Sequence, residues 1–198
     1  MTTATKTAAL PNPPSSAEVL MAGDHTLERC CELTEEVLRA VFSQLYSQRV
    51  NLEGLILKPN MVLSGLACPK QEAVDEVAEA TVKCLLQAVP AAVPGIMFLS
   101  GGQSPELAAV RLNAMNVRFK SQLPWALAFS FARAIQQLAL EIWRGKQANV
   151  PAAQQALDPR AKCNRAARRG EYYAATKTSQ PQTALRGVAS LKLAGSIQ

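Results

Sequence analysis

Gly95-Ile96-Met97-Phe98-Leu99-Ser100-Gly101-Gly102-Gln103-Ser104-Pro105-Glu106 decides the fold class of this chain. The apolar run has the length and composition of a buried strand. It ends in Ser100-Gly101-Gly102, and Ser104, Pro105 and Glu106 then supply an N-cap, a first-turn proline and a first-turn acid. A strand, a glycine turn and a capped helix in twelve residues make a β/α unit.

The same order repeats on both sides. Upstream, Leu55-Ile56-Leu57, within a strand expected over 52–62 and bounded by Pro59-Asn60, leads through a loop with Gly65 and Pro69 to a helix expected over 70–88. Before it, Leu27, Cys30, Cys31, Val37, Leu38, Val41, Phe42 and Leu45 recur at three and four residues, which predicts a helix over 26–48 capped by Asp24. A short apolar stub, Glu18-Val19-Leu20-Met21, precedes that helix. Downstream, a strand is expected over 125–131 and a helix from Arg133, with Ile135, Leu138, Ala139 and Ile142 on one face. A last helix over 150–169 is expected to break or restart at Asp158-Pro159. Strands alternating with helices imply parallel β/α units. The strands are apolar for most of their length, so each is expected to be covered on both faces. A closed eight-stranded barrel takes about 250 residues, so three and a half units fit part of a barrel or a small open sheet.

The 198 residues are 48% apolar and 5% aromatic, enough for one core. That composition excludes collagen-like, coiled-coil, disulfide-scaffold and wholly disordered chains. No apolar run reaches the roughly 18 residues of a spanning helix, so no membrane segment is expected. The five cysteines (30, 31, 68, 84 and 163) are odd in number and contain no CxxC, and His25 is the sole histidine. No Cys/His metal site is expected, and a reducing cytoplasm is the expected compartment.

Residues 1–16, rich in Thr, Ala and Pro, read as a disordered leader, and 173–198 as a basic, mobile tail. Residues 159–198 carry eight basic groups against one acid, so the net charge of +6 belongs to that end. It is either a solvated surface or a contact for an anionic partner. The lack of an RNA-binding aromatic motif or zinc-finger spacing argues against nucleic acid.

Three places could carry chemistry. Lys58 follows Leu55-Ile56-Leu57, at the strand end where parallel β/α proteins place their sites. Apolar neighbours would lower its pKa and leave an amine able to attack a carbonyl; alternatively, the side chain simply snorkels to water. Ser100-Gly101-Gly102 allows close backbone approach to an anion, with the next helix offering N–H donors, or is only a tight turn. Arg133, again where a strand enters a helix, can pair with a phosphate or be an exposed first-turn side chain.

Leu57-Lys58-Pro59-Asn60-Met61-Val62, Phe98-Leu99-Ser100-Gly101-Gly102-Gln103-Ser104, Leu112-Asn113-Ala114-Met115-Asn116 and Phe129-Ser130-Phe131-Ala132-Arg133 resemble class I fructose-bisphosphate aldolase, in wording most like its bacterial branch. So does the run from Glu18 to Cys30. The resemblance covers about residues 17–172, with the motifs in order and spacing. It implies an α/β fold that is part of a TIM (β/α)8 barrel, roughly strands five to eight with their helices plus a C-terminal helix. It implies that Lys58 forms an imine with a ketose phosphate, and that Ser100, Gly101, Gly102 and Arg133 hold one substrate phosphate. The implied reaction is reversible cleavage of fructose 1,6-bisphosphate to dihydroxyacetone phosphate and glyceraldehyde 3-phosphate, with no metal or other cofactor.

The departures are specific. Glu18 matches the second glutamate of the family's Glu-Pro-Glu run, in a supporting role; the first, an acid/base group, aligns with Ser16 and the proline with Ala17. Ala132 stands where the family has glycine. The aspartate and two lysines of the family's earlier strands have no match. Part of a barrel leaves apolar faces uncovered and an edge strand unpaired, so a homo-oligomer or a complementing chain is expected alongside the sugar phosphate. The alternative is a degenerate, non-catalytic relative that binds phosphate or a partner.

Overall fold

A computed structural model describes residues 19–173. Five α-helices alternate with three strands: α1 (Leu27–Ser47), β1 (Ile56–Leu57), α2 (Val74–Ala88), β2 (Gly95–Phe98), α3 (Pro105–Arg118), β3 (Ala126–Phe129), α4 (Arg133–Trp143) and α5 (Val150–Arg169). The sheet is parallel in the order β1-β2-β3, with Ile56 opposite Gly95, Leu57 opposite Ile96, and Phe98 opposite Phe129. The leader of residues 1–16, Glu18 and all but the first residue of the expected tail lie outside the described residues.

The register separates two faces, since side chains alternate along a strand. Ile96, Phe98 and Leu127 point into the core and are nearly or fully buried. They join Leu38 and Phe42 of α1, Val77, Val82 and Leu85 of α2, and Leu112 and Met115 of α3 in one cluster. The opposite face carries Ile56 and Lys58 on β1 and its continuation and Met97 on β2; Ile56 is 53% exposed and Met97 39%. The expectation of cover on both faces is therefore not met. Helices cover one face, and among the described residues no element covers the other.

Two strand expectations change. The strand expected over 52–62 shrinks to Ile56–Leu57. Asn51 Oδ1 accepts from Glu53 N at 3.1 Å and starts a 3-10 turn over Leu52–Gly54, while Pro59 has no N–H to continue the ladder. The most buried part of that segment is instead irregular: Met61, Val62 and Leu63 are at most 3% exposed. Their backbone is satisfied by side chains, with Val62 N donating to Thr81 Oγ1 at 3.0 Å and Leu63 N to Cys30 Sγ at 3.4 Å. The described part of the stub, residues 19–21, forms no strand. It lies with residues 22–25 along the loop after β1, where Leu66 N donates to Met21 O (2.9 Å), Gly65 N to His25 O and Ala67 N to Gly23 O (both 2.8 Å).

The helices follow the sequence closely. Thr26 rather than Asp24 caps α1, accepting from Arg29 N at 3.3 Å. Ser104 caps α3 and Pro105 opens it, as expected. The first helix after the loop begins at Val74 instead of 70. Glu76 accepts from Ala73 N at 2.8 Å, while Gln71 bonds to the carbonyls of Gly65 and Cys68 and belongs to the loop. Pro159 does not break α5, which runs unbroken to Gly170 in the left-handed conformation. No described helix is long and apolar enough to cross a membrane.

Candidate functional site

A parallel sheet puts the C-terminal ends of all its strands along one edge. Lys58 follows β1, Ser100-Gly101-Gly102 follows β2, and Ser130 and Arg133 follow β3. The ends are locked together by backbone bonds: Leu99 N donates to Pro59 O at 2.9 Å and Ser130 N to Phe98 O at 2.8 Å. The fold thus brings Lys58, the glycine turn and Arg133 to one end of three adjacent strands.

Lys58 is exposed, so of the two readings open at this strand end the side chain that reaches water is the one observed, and desolvation by its apolar neighbours is not. The cause is positional. It stands just past an outer strand, on the face that no described element covers, with exposed Ile56 two residues before it. Arg133, the first residue of α4, is also exposed and makes no ion pair among the described residues.

The turn after β2 needs its glycines. Gly101 and Gly102 have φ of +54° and +76°, a region costly to side chains other than glycine. A Cβ on Gly101 would also lie 3.2 Å from Asn60 Oδ1. Gln103 N closes the turn onto Ser100 O at 3.0 Å.

The starts of α3 and α4 differ in how their first amides are satisfied. Ser104 already accepts from Leu107 N at 3.2 Å, and Glu106 in the first turn of α3 is paired with Arg160. By contrast, no side chain caps α4, which starts from Ala132 with φ −91° and ψ −83°. An uncapped first turn leaves amide donors open to an anion, and Arg133 sits at that opening.

Several neighbours had no role assigned from the sequence. Asn60 lies against Gly101, its Nδ2 donates to Val19 O at 3.4 Å, and its buried Oδ1 has no described partner. Gln103 donates to Met61 Sδ at 3.6 Å and accepts from Arg111 Nη1 at 3.0 Å. Arg111 and Glu72 are both buried; burial pushes the Arg111 pKa down and the Glu72 charge opposes that. Apart from the Gln103–Arg111 bond, these links join residues 39 to 42 apart in the chain, beyond the reach of any local pattern. A cleft of about 520 Å³ beside the start of β3, lined by Lys120, Trp125, Arg168 and Arg169 among others, contains none of these residues.

Comparison with known proteins agrees with the motifs. The family model for fructose-bisphosphate aldolase class I matches residues 12–189. A protein of Gallus gallus named fructose-bisphosphate aldolase B is 53% identical over 168 residues, 84% of this chain and 45% of that protein. A Xanthomonas campestris protein named probable fructose-bisphosphate aldolase class 1 is 50% identical over 156 residues, 78% of this chain and 46% of that one. The structure is similar to fructose-bisphosphate aldolase from Plasmodium falciparum, solved with TRAP and a small-molecule inhibitor. The TM-score is 0.75 at 44% identity, covering 79% of this chain and 44% of that one. The chain thus spans a little under half the length of these relatives.

Proposed function

Because the chain belongs to the class I fructose-bisphosphate aldolase family, we propose that it contributes the imine-forming lysine and one phosphate cradle of an aldolase site. Lys58 Nζ attacks the ketone carbonyl of the sugar phosphate, and loss of water leaves a protonated imine. That imine accepts the electron pair of the neighbouring C–C bond as it breaks. The hydroxyl on the departing carbon gives up its proton to water as its C–O becomes the carbonyl of glyceraldehyde 3-phosphate; the remaining enamine takes a proton on carbon, and water hydrolyses the resulting imine to dihydroxyacetone phosphate and free Lys58. Ser100, Gly101 and Gly102 hold the phosphate from one side through backbone N–H groups, and Arg133 with the uncapped start of α4 from the other. Glu18, the match to the family's second glutamate, has a supporting role.

The observation that carries this reading is the parallel register, which sets the three motifs at adjacent strand ends. The rest follows from the uncovered face. We read the sheet as part of a (β/α)8 barrel, with Ile56, Lys58 and Met97 facing its interior, completed by a second copy or a complementing chain. A cytoplasmic setting accords with a Pisum sativum relative named as a cytoplasmic isozyme, 50% identical over 159 residues. Borohydride reduction with dihydroxyacetone phosphate, followed by peptide mapping, tests the assignment: a reduced adduct at Lys58 supports it, and an unmodified Lys58 ends it.

The exposure of Lys58 favours one other reading, a phosphate-binding relative without turnover. In that case dihydroxyacetone phosphate raises the melting temperature while no lysine is trapped.

A further inference from the structure

The turn that follows β2 is expensive to hold, since two consecutive glycines carry positive φ. One side chain braces it from behind. Gln103 accepts from Arg111 Nη1 at 3.0 Å, and Gln103 Nε2 donates to Met61 Sδ at 3.6 Å, in the segment that follows Lys58. Arg111 is 5% exposed, and its Nη2 donates to Glu72 O at 3.2 Å. The Glu72 side chain is 2% exposed, with its carboxylate 3.5 Å from Lys70 Nζ. Arg111 projects from the middle of α3, between fully buried Ala109 and Leu112.

A buried guanidinium is tolerated only with partners. Here the partners are the glycine turn, through Gln103, and the loop before α2, through Glu72. We propose that Arg111 is a positioning residue: through Gln103 it holds the Ser100-Gly101-Gly102 turn in its anion-ready shape and at a fixed offset from Lys58. The gain is preorganisation, since a turn ordered before the ligand arrives has less freedom to lose on binding. Arg111 itself touches none of the residues assigned to the phosphate. The inference rests on the imine-and-phosphate reading above.

The test uses the full chain and three variants. Arg111→Met removes the brace, Arg111→Lys keeps the charge, and Gln103→Ala cuts the same link without leaving Glu72 buried opposite a lost charge. Two readouts are taken. One is the concentration dependence of borohydride trapping at Lys58 with dihydroxyacetone phosphate and with phosphate-free dihydroxyacetone. The other is amide hydrogen exchange at residues 100–103 in the free chain. The expected result is a phosphate preference in the parent chain that falls about tenfold in Arg111→Met and Gln103→Ala, as loss of one charge-assisted hydrogen bond implies. Exchange at residues 100–103 speeds by a similar factor, and Arg111→Lys restores part of both.

Unchanged exchange and unchanged preference in Gln103→Ala overturn the proposal while leaving the site reading intact. A parent chain that traps no lysine, or shows no phosphate preference, overturns the site reading instead; exchange at residues 100–103 then decides whether Arg111 orders the turn. If Arg111→Met does not fold, Gln103→Ala decides alone.

Discussion

Gly101→Ala probes the phosphate turn with a single methyl group. The backbone there has φ +54°, and placing a side chain in the left-handed region costs about 1–2 kcal/mol. The new Cβ would lie 3.2 Å from Asn60 Oδ1, 3.5 Å from Asn60 Cγ and 3.6 Å from Leu63 Cδ1. The first contact is tight, but among the described residues the Asn60 side chain makes one long bond, to Val19 O at 3.4 Å, so its amide can shift by a few tenths of an ångström. Backbone strain therefore dominates. Against it, alanine reduces the freedom of the unfolded chain, worth about 0.4–1 kcal/mol. The net expectation is a loss of about 1 kcal/mol, or roughly 2–4 °C in melting temperature for a domain of this size. Urea unfolding measures the first quantity, and the melting shift produced by inorganic phosphate measures the ligand response, which the variant should lose in large part. Gly54→Ala is the control: nothing lies within 4 Å of its added Cβ and its φ is not positive, so no loss is expected. A Gly101→Ala chain as stable as Gly54→Ala, with a full phosphate response, would mean that the turn needs no left-handed glycine to hold phosphate.

Other expectations test the fold around the site. Gly65→Ala should destabilise by about 1–3 kcal/mol, because its Cβ would fall 2.2 Å from the backbone Gly23 O and force residues 19–25 off the loop; denaturant unfolding measures it. Phe98→Ala should cost about 3–5 kcal/mol, whereas Ile56→Thr on the uncovered face should stay within about 0.5 kcal/mol; equal costs would mean the two sheet faces are misassigned. Burial pushes the thiols of Cys30, Cys31 and Cys84 up. The folded chain keeps protons that the unfolded chain releases, so this stability is fully present below the ordinary thiol pKa of about 8.5 and is lost as pH rises beyond it. Unfolding free energy should therefore fall between pH 8 and pH 10, and fall less in Cys84→Ala; a pH-independent stability over that interval would contradict it.

The β/α alternation and the site motifs were legible because each depends on local pattern. Gly95 to Phe98 is a short apolar run that can only pair, and Ser104-Pro105-Glu106 is a helix start written in consecutive residues. Strand length was not legible. Leu52 to Val62 reads as one apolar strand, yet Asn51 starts a 3-10 turn and Pro59 stops the ladder, leaving two strand residues and a buried irregular segment. Its amides find Thr81 and Cys30, partners that no window of sequence contains. Pro159 misleads for a related reason: α5 is fixed by packing along its length, with Asn164 and Ala167 buried, so one missing N–H does not end it. The sequence left the exposure of Lys58 open between two readings, because apolar neighbours do not say which face of a sheet is covered.

If the three strand ends form one site around a single ligand, as proposed, a ligand fixed at Lys58 must also touch the other two ends. Amide chemical shifts of the chain after Lys58 has been trapped with dihydroxyacetone phosphate test it most directly. Shifts are expected at Ser100, Gly101, Gly102 and the first turn of α4. Shifts confined to the residues flanking Lys58, with the glycine turn and Arg133 unmoved, would contradict it.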